Sequence, residues 1–365
     1  MRDSEIDTVE SLLPAIADAA SDVDRRGAVD SSVIVELHEA GFFSMLRPKA
    51  FGGLEADPYH YLVLTRELSS ACTSTGWLAG MLGVNSWHLA LFDERAQQDV
   101  WGSDPRALVC ASYAPTGRLE RVGRGYRLSG RWNRCTGIHH ASWLIAAAVL
   151  VGDDGAAQDF IAALVPCADY TVESHWNGLG LRGIGADDVV VSNALVPAHR
   201  TFGWLGLDQR TVVNPLYRLP QPTLYTHTGT VPLLGAADNV LTARRPDAST
   251  AQTPVAMAAS DLELSGLQIR RNLTELMACA RDASEPDTAL ILRSRRDQVV
   301  ASDRAVRAIQ TFIRESDTDV GGDALVERVW RDVQTARTHV ASNVEQVLSV
   351  VGRFAFGLKV DDLIW

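Results

Sequence analysis

The 365-residue sequence predicts an α+β fold in which a β-domain is set between two helical blocks. Three observations carry that expectation. Tyr126, Leu128, Gly130 and Trp132 alternate with Arg127, Ser129 and Arg131 at a period of two, the mark of a strand with one face turned inward. Upstream, Trp77, Met81, Val84 and His88 recur at i, i+4, i+7 and i+11, one side of a helix. Downstream, Val329, Val333, Ala336 and Val340 make a second apolar stripe, inside a helix predicted to run unbroken from Ala324 to Val351.

Taken in order, the signals are helical up to about Gly102. Asp30 is placed to cap a helix over Ser31–Ala40 that Gly41 stops, and Phe51-Gly52-Gly53 breaks the chain again. Tyr61 to Trp87 reads as two long helical stretches, with a further helix over Ala96–Trp101. From Ala107 to Pro197 the pattern turns to strands: Ala107–Ala114, then Trp143–Val151 and Phe160–Val165 joined through Gly152-Asp153-Asp154-Gly155, then Val189–Val191 and Ala194–Pro197. From about Thr228 the chain is helical again, punctuated at Arg245–Ser249, Ser284-Glu285-Pro286 and Gly321-Gly322. Domain boundaries are expected near 105 and 202, giving an N-terminal helical domain, a central β-domain and a C-terminal helical bundle.

A net charge of -11 argues against nucleic acid and anionic membrane surfaces, both of which need a basic face. No run approaches the roughly 20 apolar residues of a membrane span, and the acidic start does not resemble a secretory signal. Five scattered cysteines without a CxxC pair suggest neither a disulfide framework nor a zinc site, so a reducing cytoplasm is the expected location.

Asn133, Arg134, Cys135, Thr136 and Gly137 follow the period-two strand, a run of polar groups at a strand end that suits a polar heterocycle. The stripe through Trp77 and His88, with neighbouring Trp87, suits a planar aromatic guest, although a Met-and-aromatic stripe is more often plain core, above all at Trp77 and Met81. Arg328, Asp332, Thr335 and His339 form a polar row that reads as open surface or as a cavity wall. His139 and His140 fall next to each other on an expected strand, hence on opposite faces, and no carboxylate partner is evident, so no metal is expected. No GxGxxG follows a strand, which leaves no sign of a built-in nicotinamide site.

Several runs carry a family resemblance: residues 71–102, SYAPTGRLERVGRGYRLSGRW at 112–132, GLGLRGIGADDVVVSNALVPAHR at 178–200, PLYRLP at 215–220 and RVWRDVQTARTH at 328–339. Their order resembles the acyl-CoA dehydrogenase fold with its C-terminal four-helix bundle. Within it, the closer likeness is to two-component flavin-dependent monooxygenases of the hydroxyphenylacetate and secosteroid-phenol hydroxylase type. The resemblance implies reduced FMN or FAD from a separate flavin reductase, molecular oxygen, a small aromatic substrate, a C4a-hydroperoxyflavin and a homotetramer. It places Thr136 opposite flavin N5, with Tyr113, Pro115 and Gly117 along the flavin edge and Arg134 and Cys135 beside it. His339, with Thr335 orienting it, becomes the group near the substrate hydroxyl or the flavin oxygen, and Trp77, Trp87 and His88 become substrate contacts. Arg134-Cys135 and Ile138-His139-His140 depart from the aromatic, serine-rich turn and Asp-His pair of relatives. Two further readings follow from such departures. One is an acyl-CoA dehydrogenase, for which the Gly352–Gly357 segment offers no glutamate base and Asp361 and Asp362 stand in a different context. The other is a repurposed member binding a ligand in the flavin cleft.

Overall fold

Aspartates start three of the N-terminal helices. The chain is described by a computed structural model over residues 8–152, 154–203, 214–243, 252–315 and 323–360. The N-terminal helices are α1 (Leu13–Arg26), α2 (Ser31–Glu39), α3 (Pro58–Ala71), α4 (Thr73–Leu89) and α5 (Glu94–Trp101). Asp30, as the sequence predicts, caps α2 by accepting from Ser32 N, and Asp57 and Asp93 do the same for α3 and α5. Every residue of α4 is buried, because the helix is apolar or small on all sides and is wrapped by its neighbours. That places α4 where one flank can wall an interior cleft.

The β-layer is one seven-stranded sheet in the order β5-β6-β2-β1-β3-β4-β7. Its strands are β1 (Val109–Val122), β2 (Gly125–Cys135), β3 (Trp143–Val151), β4 (Ala157–Pro166), β5 (Tyr170–Glu173), β6 (Asp187–Pro197) and β7 (Thr201–Gly203). The predicted apolar strand after the polar turn is present, yet it pairs in parallel with β1 rather than lying beside β2. Along that pairing Ser112 faces Ala146 and Gly117 faces Ala148, so residues 113–116 bulge out of the ladder. Trp132 fills the gap: its indole Nε1 donates to Ala147 O at 2.8 Å, beneath the bulge. Gly117 is needed there, since a Cβ on it would stand 2.3 Å from the Trp132 ring. The expected strand over His139 and His140 is instead a 3-10 turn, Ile138–His140, opened by Gly137 at a φ of 75°.

The C-terminal helices are α6 (Thr223–Thr228), α7 (Val231–Ala243), α8 (Gln252–Arg281), α9 (Thr288–Glu315), α10 (Ala324–Ala336) and α11 (Val344–Ala355), with α9 packed against α7, α8 and α11. The single helix expected over Ala324–Val351 is therefore two. His339 takes an extended backbone and caps a 3-10 turn by accepting from Ala341 N, and Asn343 then caps α11 by accepting from Gln346 N. Polar side chains that bond their own backbone end the first helix and begin the next. The expected breaks at Arg245–Ser249 and Gly321-Gly322, and Asp153, Asp361 and Asp362, lie outside the described residues. The N- and C-terminal helices share one apolar core, and Arg66 of α3 clamps Asp238 of α7 through two bonds of 2.6 and 2.8 Å. Among the described residues no helix is long and apolar enough to cross a membrane.

Substituting Gly117→Ala is expected to cost about 1–3 kcal/mol in urea unfolding, the usual penalty for overpacking a fixed ring. Gly352→Ala, in α11, meets nothing within 4 Å and is expected to be neutral or stabilising by about 0.5–1 kcal/mol. Equal effects at the two positions would show that Trp132 is not held rigidly.

Candidate active site

A cleft of about 440 Å³ opens where the sheet end meets both helical blocks. From α4 come Trp77, Met81 and Asn85; from β1, Ala111; from the end of β2, Asn133, Arg134 and Thr136. Tyr225 of α6 and the segment Thr335, Ala336, Thr338 and His339 close the C-terminal side. The remaining wall is the connection between β5 and β6, with His175, Trp176, Asn177, Gly178, Leu181 and Ile184, followed by Ala186 and Asp188.

That connection is pinned at both ends. Asp187 Oδ1 accepts from His175 N at 2.7 Å and Trp176 N at 2.6 Å, while its Oδ2 lies 2.6 Å from His139 Nε2. Burial works against its charge, but the hydrogen bonds from His139 and the Trp176 and His175 amides hold the carboxyl below its ordinary value. The absence of a carboxylate near His139, expected from sequence, is thus corrected: Asp187 is its partner across the sheet. Among the described residues no group of three or more His, Cys, Asp or Glu is arranged to hold a metal.

At the other end Thr335 Oγ1 accepts from Gly180 N at 2.8 Å and Asp332 Oδ1 accepts from Leu181 N at 2.5 Å. Gly180 passes so close to α10 that a Cβ would stand 2.1 Å from the Arg331 carbonyl carbon. Arg331 is itself held by Asp24 of α1 through bonds of 3.1 and 2.7 Å. Thr335 therefore holds the wall and does not orient His339, contrary to the sequence expectation; the helix ends between them. Burial pushes the Asp332 carboxyl up to about 7, opposed by the Leu181 amide bond.

His339 is oriented by Ala341 N, which donates to its Nδ1 at 3.2 Å, and by Tyr225 Oη, 3.2 Å from its Nε2. Trp77 meets its ring edge-on at 5.4 Å. Burial, aided by the Arg134 charge, pushes the imidazole down to about 4, so it is neutral at physiological pH. Thr136 Oγ and the Arg134 guanidinium make no hydrogen bond among the described residues, and Arg134 holds a φ of 59° with its amide donating to Asp188 Oδ1 at 3.2 Å.

Of the predicted site residues, Thr136, Arg134, His339 and Trp77 line this cleft. Tyr113 stands one layer behind, its Oη donating to Asn85 Oδ1 at 3.0 Å and bonded to His88, its ring 4.7 Å from Tyr225. His88 is thus a support for Tyr113 and not a lining residue. Trp87 is core, its Nε1 donating to Leu216 O at 2.8 Å. Pro115 is exposed in the bulge, Gly117 packs on Trp132, and Cys135 is buried in the β-layer with its thiol toward Trp132 O. The bulge and the alternation of β2 turn these three away from the cleft. Sequence reasoning missed Asn85, which follows Trp77 and Met81 at helical spacing, and Tyr225, an aromatic in a polar run between Pro222 and Gly229. It also missed Trp176 and Asp187, whose roles depend on pairing across the sheet.

The N- and C-terminal domain models of acyl-CoA dehydrogenase match residues 7–103 and 237–344. The chain is 33% identical to the flavin-dependent monooxygenase oxygenase subunit HsaA of Mycobacterium tuberculosis, over 98% of this chain and 97% of that one. It belongs to the oxygenase components of the flavin-dependent monooxygenases. The FADH(2)-dependent resorcinol hydroxylase oxygenase component of Rhizobium is 31% identical over 91% of this chain and 88% of its own length. The crystal structure of the M. tuberculosis HsaA monooxygenase superposes with a TM-score of 0.94 at 32% identity, covering 100% of this chain and 99% of that one. A flavin fits such a cleft: Trp77, Trp176 and Tyr225 offer flat walls, and Thr136 Oγ and Arg134 offer uncommitted polar groups for a heterocycle edge.

Because the Asp332 carboxyl titrates near 7 in the folded chain and near 4 when unfolded, the native state binds the extra proton between those values. Stability from this group is full below about pH 4 and declines as pH rises to 7. Asp332→Asn, which keeps an acceptor for Leu181 N, is expected to remove that decline, so that urea midpoints at pH 8 exceed those of the wild type. A variant with an unchanged pH slope would show that Asp332 is not the titrating group.

Proposed function

We propose that this oxygenase component hydroxylates an aromatic, phenolic substrate, using reduced FMN or FAD that a separate reductase delivers. The observation that carries the reading is the meeting, in one cleft, of an uncommitted hydroxyl at a strand end, Thr136, with a neutral histidine on the helical side, His339, in a chain 33% identical along its length to a flavin-dependent monooxygenase oxygenase subunit. Resorcinol and p-hydroxyphenylacetate, in the names of two relatives, are phenols, which supports that substrate class.

When bound, reduced flavin supplies the two electrons that activate oxygen. This chain's own residues bind, orient and exclude water. Thr136 Oγ, lining the cleft, would hold the flavin edge, and Tyr113, pinned by Asn85 and His88, backs the ring of Tyr225. Trp176 and Leu181, fixed by Asp187 and Asp332, wall the cleft and would limit the access of water to a flavin held there. A homotetramer is part of the reading: Met257, Leu264 and Leu267 are exposed on α8, an apolar stripe that a second copy would cover. Five free cysteines and dependence on reduced flavin are consistent with work in the cytoplasm.

The test supplies the purified chain with enzymatically reduced flavin, oxygen and a panel of phenols, and counts hydroxylated product against hydrogen peroxide per flavin oxidised. The expected result is product with at least one phenol, and a Thr136→Ala variant in which product per flavin falls about tenfold and peroxide rises to match, the size of one lost hydrogen bond to a charged group. Release of peroxide alone with every phenol, together with anaerobic reduction of bound oxidised flavin by an acyl-CoA, would place the chain among dehydrogenases instead.

A further inference from the structure

The bonds around His339 dictate where one proton in the cleft points. Ala341 N–H occupies the lone pair of Nδ1, so a neutral ring carries its own proton on Nε2. Nε2 is 3.2 Å from Tyr225 Oη, and the histidine is the donor across that gap. A hydroxyl that accepts there must send its own O–H elsewhere, and among the described residues no other bond receives it. Tyr225 faces the cleft, its ring plane set edge-on against Tyr113.

The uncompensated charge lining this cleft favours an anion. Arg134 lines the same cleft with a guanidinium that pairs with no acid among the described residues, close enough that its charge acts on His339. Asp188, the acid that lines the cleft, is already committed to Arg131 at 2.9 Å and to Arg134 N at 3.2 Å. His175 leans outward to Glu173 at 3.4 Å. We infer that Tyr225 O–H and the Arg134 guanidinium form an oxyanion subsite that binds the aromatic substrate through its ring oxygen as the phenolate, with His339 as a positioning residue that turns the Tyr225 proton into the cleft.

This rests on the phenol hydroxylase reading and changes one role within it. A histidine acting as base toward the substrate would need a free lone pair at Nε2, which the tautomer held by Ala341 does not offer. The phenol proton therefore leaves to water as the substrate binds, and Tyr225 donates to the oxygen left behind. Burial favours the protonated tyrosine, which keeps it a donor.

The test is binding, without turnover. 4-Nitrophenol, coloured as its phenolate and nearly colourless as the phenol, is titrated into the full chain across a range of pH, for the wild type, Tyr225→Phe, His339→Gln and His339→Leu. The wild type is expected to lower the pKa of bound nitrophenol. Tyr225→Phe is expected to weaken phenolate binding about tenfold while leaving the neutral phenol bound as before. His339→Gln, whose side-chain Nε2 can stand near the imidazole Nε2 and donate to Tyr225, is expected to keep most of the effect, and His339→Leu to lose it. Equal phenolate affinity in the wild type and Tyr225→Phe would overturn the subsite alone. Failure of the wild type to bind nitrophenol in either form would overturn the phenol reading beneath it.

Discussion

The three bonds that converge on the Asp187 carboxylate are the constraint on which the site depends. Asp187 opens β6, so its position is set by the sheet, and it gathers the amides of His175 and Trp176 together with the His139 imidazole. A loop tethered only at its strand ends would move freely over the cleft; this one is fastened by backbone amides to carboxylate oxygens, among the stronger neutral-pH bonds available. At its far end it is fastened to α10, through Thr335 and Asp332. The wall carrying Trp176 and Leu181 therefore sits where sheet and helical bundle jointly place it. Arg331, holding Asp24 of α1 beside the same loop, extends the tie to the N-terminal helices.

The acids near the site are consumed by this framework. Asp187 serves the loop amides, Asp188 serves Arg131 and Arg134 N, and Asp332 is buried against Leu181 N. Among the polar groups left facing the cleft are a neutral histidine, a tyrosine hydroxyl, a threonine hydroxyl, the Asn133 and Asn177 amides and the Arg134 cation. Removing a proton α to a thioester needs a carboxylate free to act as base, and among the described lining residues none is uncommitted. Such a lining fits the proposed role of holding an electron-rich ring against a flavin.

Much of this was legible in the sequence wherever periodicity or capping decides the structure. The Asp30 cap, the helix through Trp77 and the strand through Trp132 formed as expected, since each depends on neighbours within a few residues, while the burial of that helix on all sides did not show in its single stripe. Thr136, Arg134 and His339 were also legible as neighbours, through the family resemblance. The misreadings share a physical cause. The 113–116 bulge comes from pairing between β1 and β3, and it decides that Tyr113 backs the cleft while Pro115 and Gly117 do not line it. The break after Ala336 comes from His339 and Asn343 bonding their own backbone, which no apolar stripe reveals. Asp187 and His139 are 48 residues apart and meet only because β2 and β6 are paired.

The most direct test of the central claim, that this pinned cleft is the flavin site, is a crystal structure of the chain soaked anaerobically with reduced FMN. The expected result is ring density between Thr136 and the Trp77 and Trp176 walls, with the loop from His175 to Ile184 still bonded to Asp187 and Asp332. Flavin density outside this cleft, or an empty cleft at saturating flavin, would contradict it.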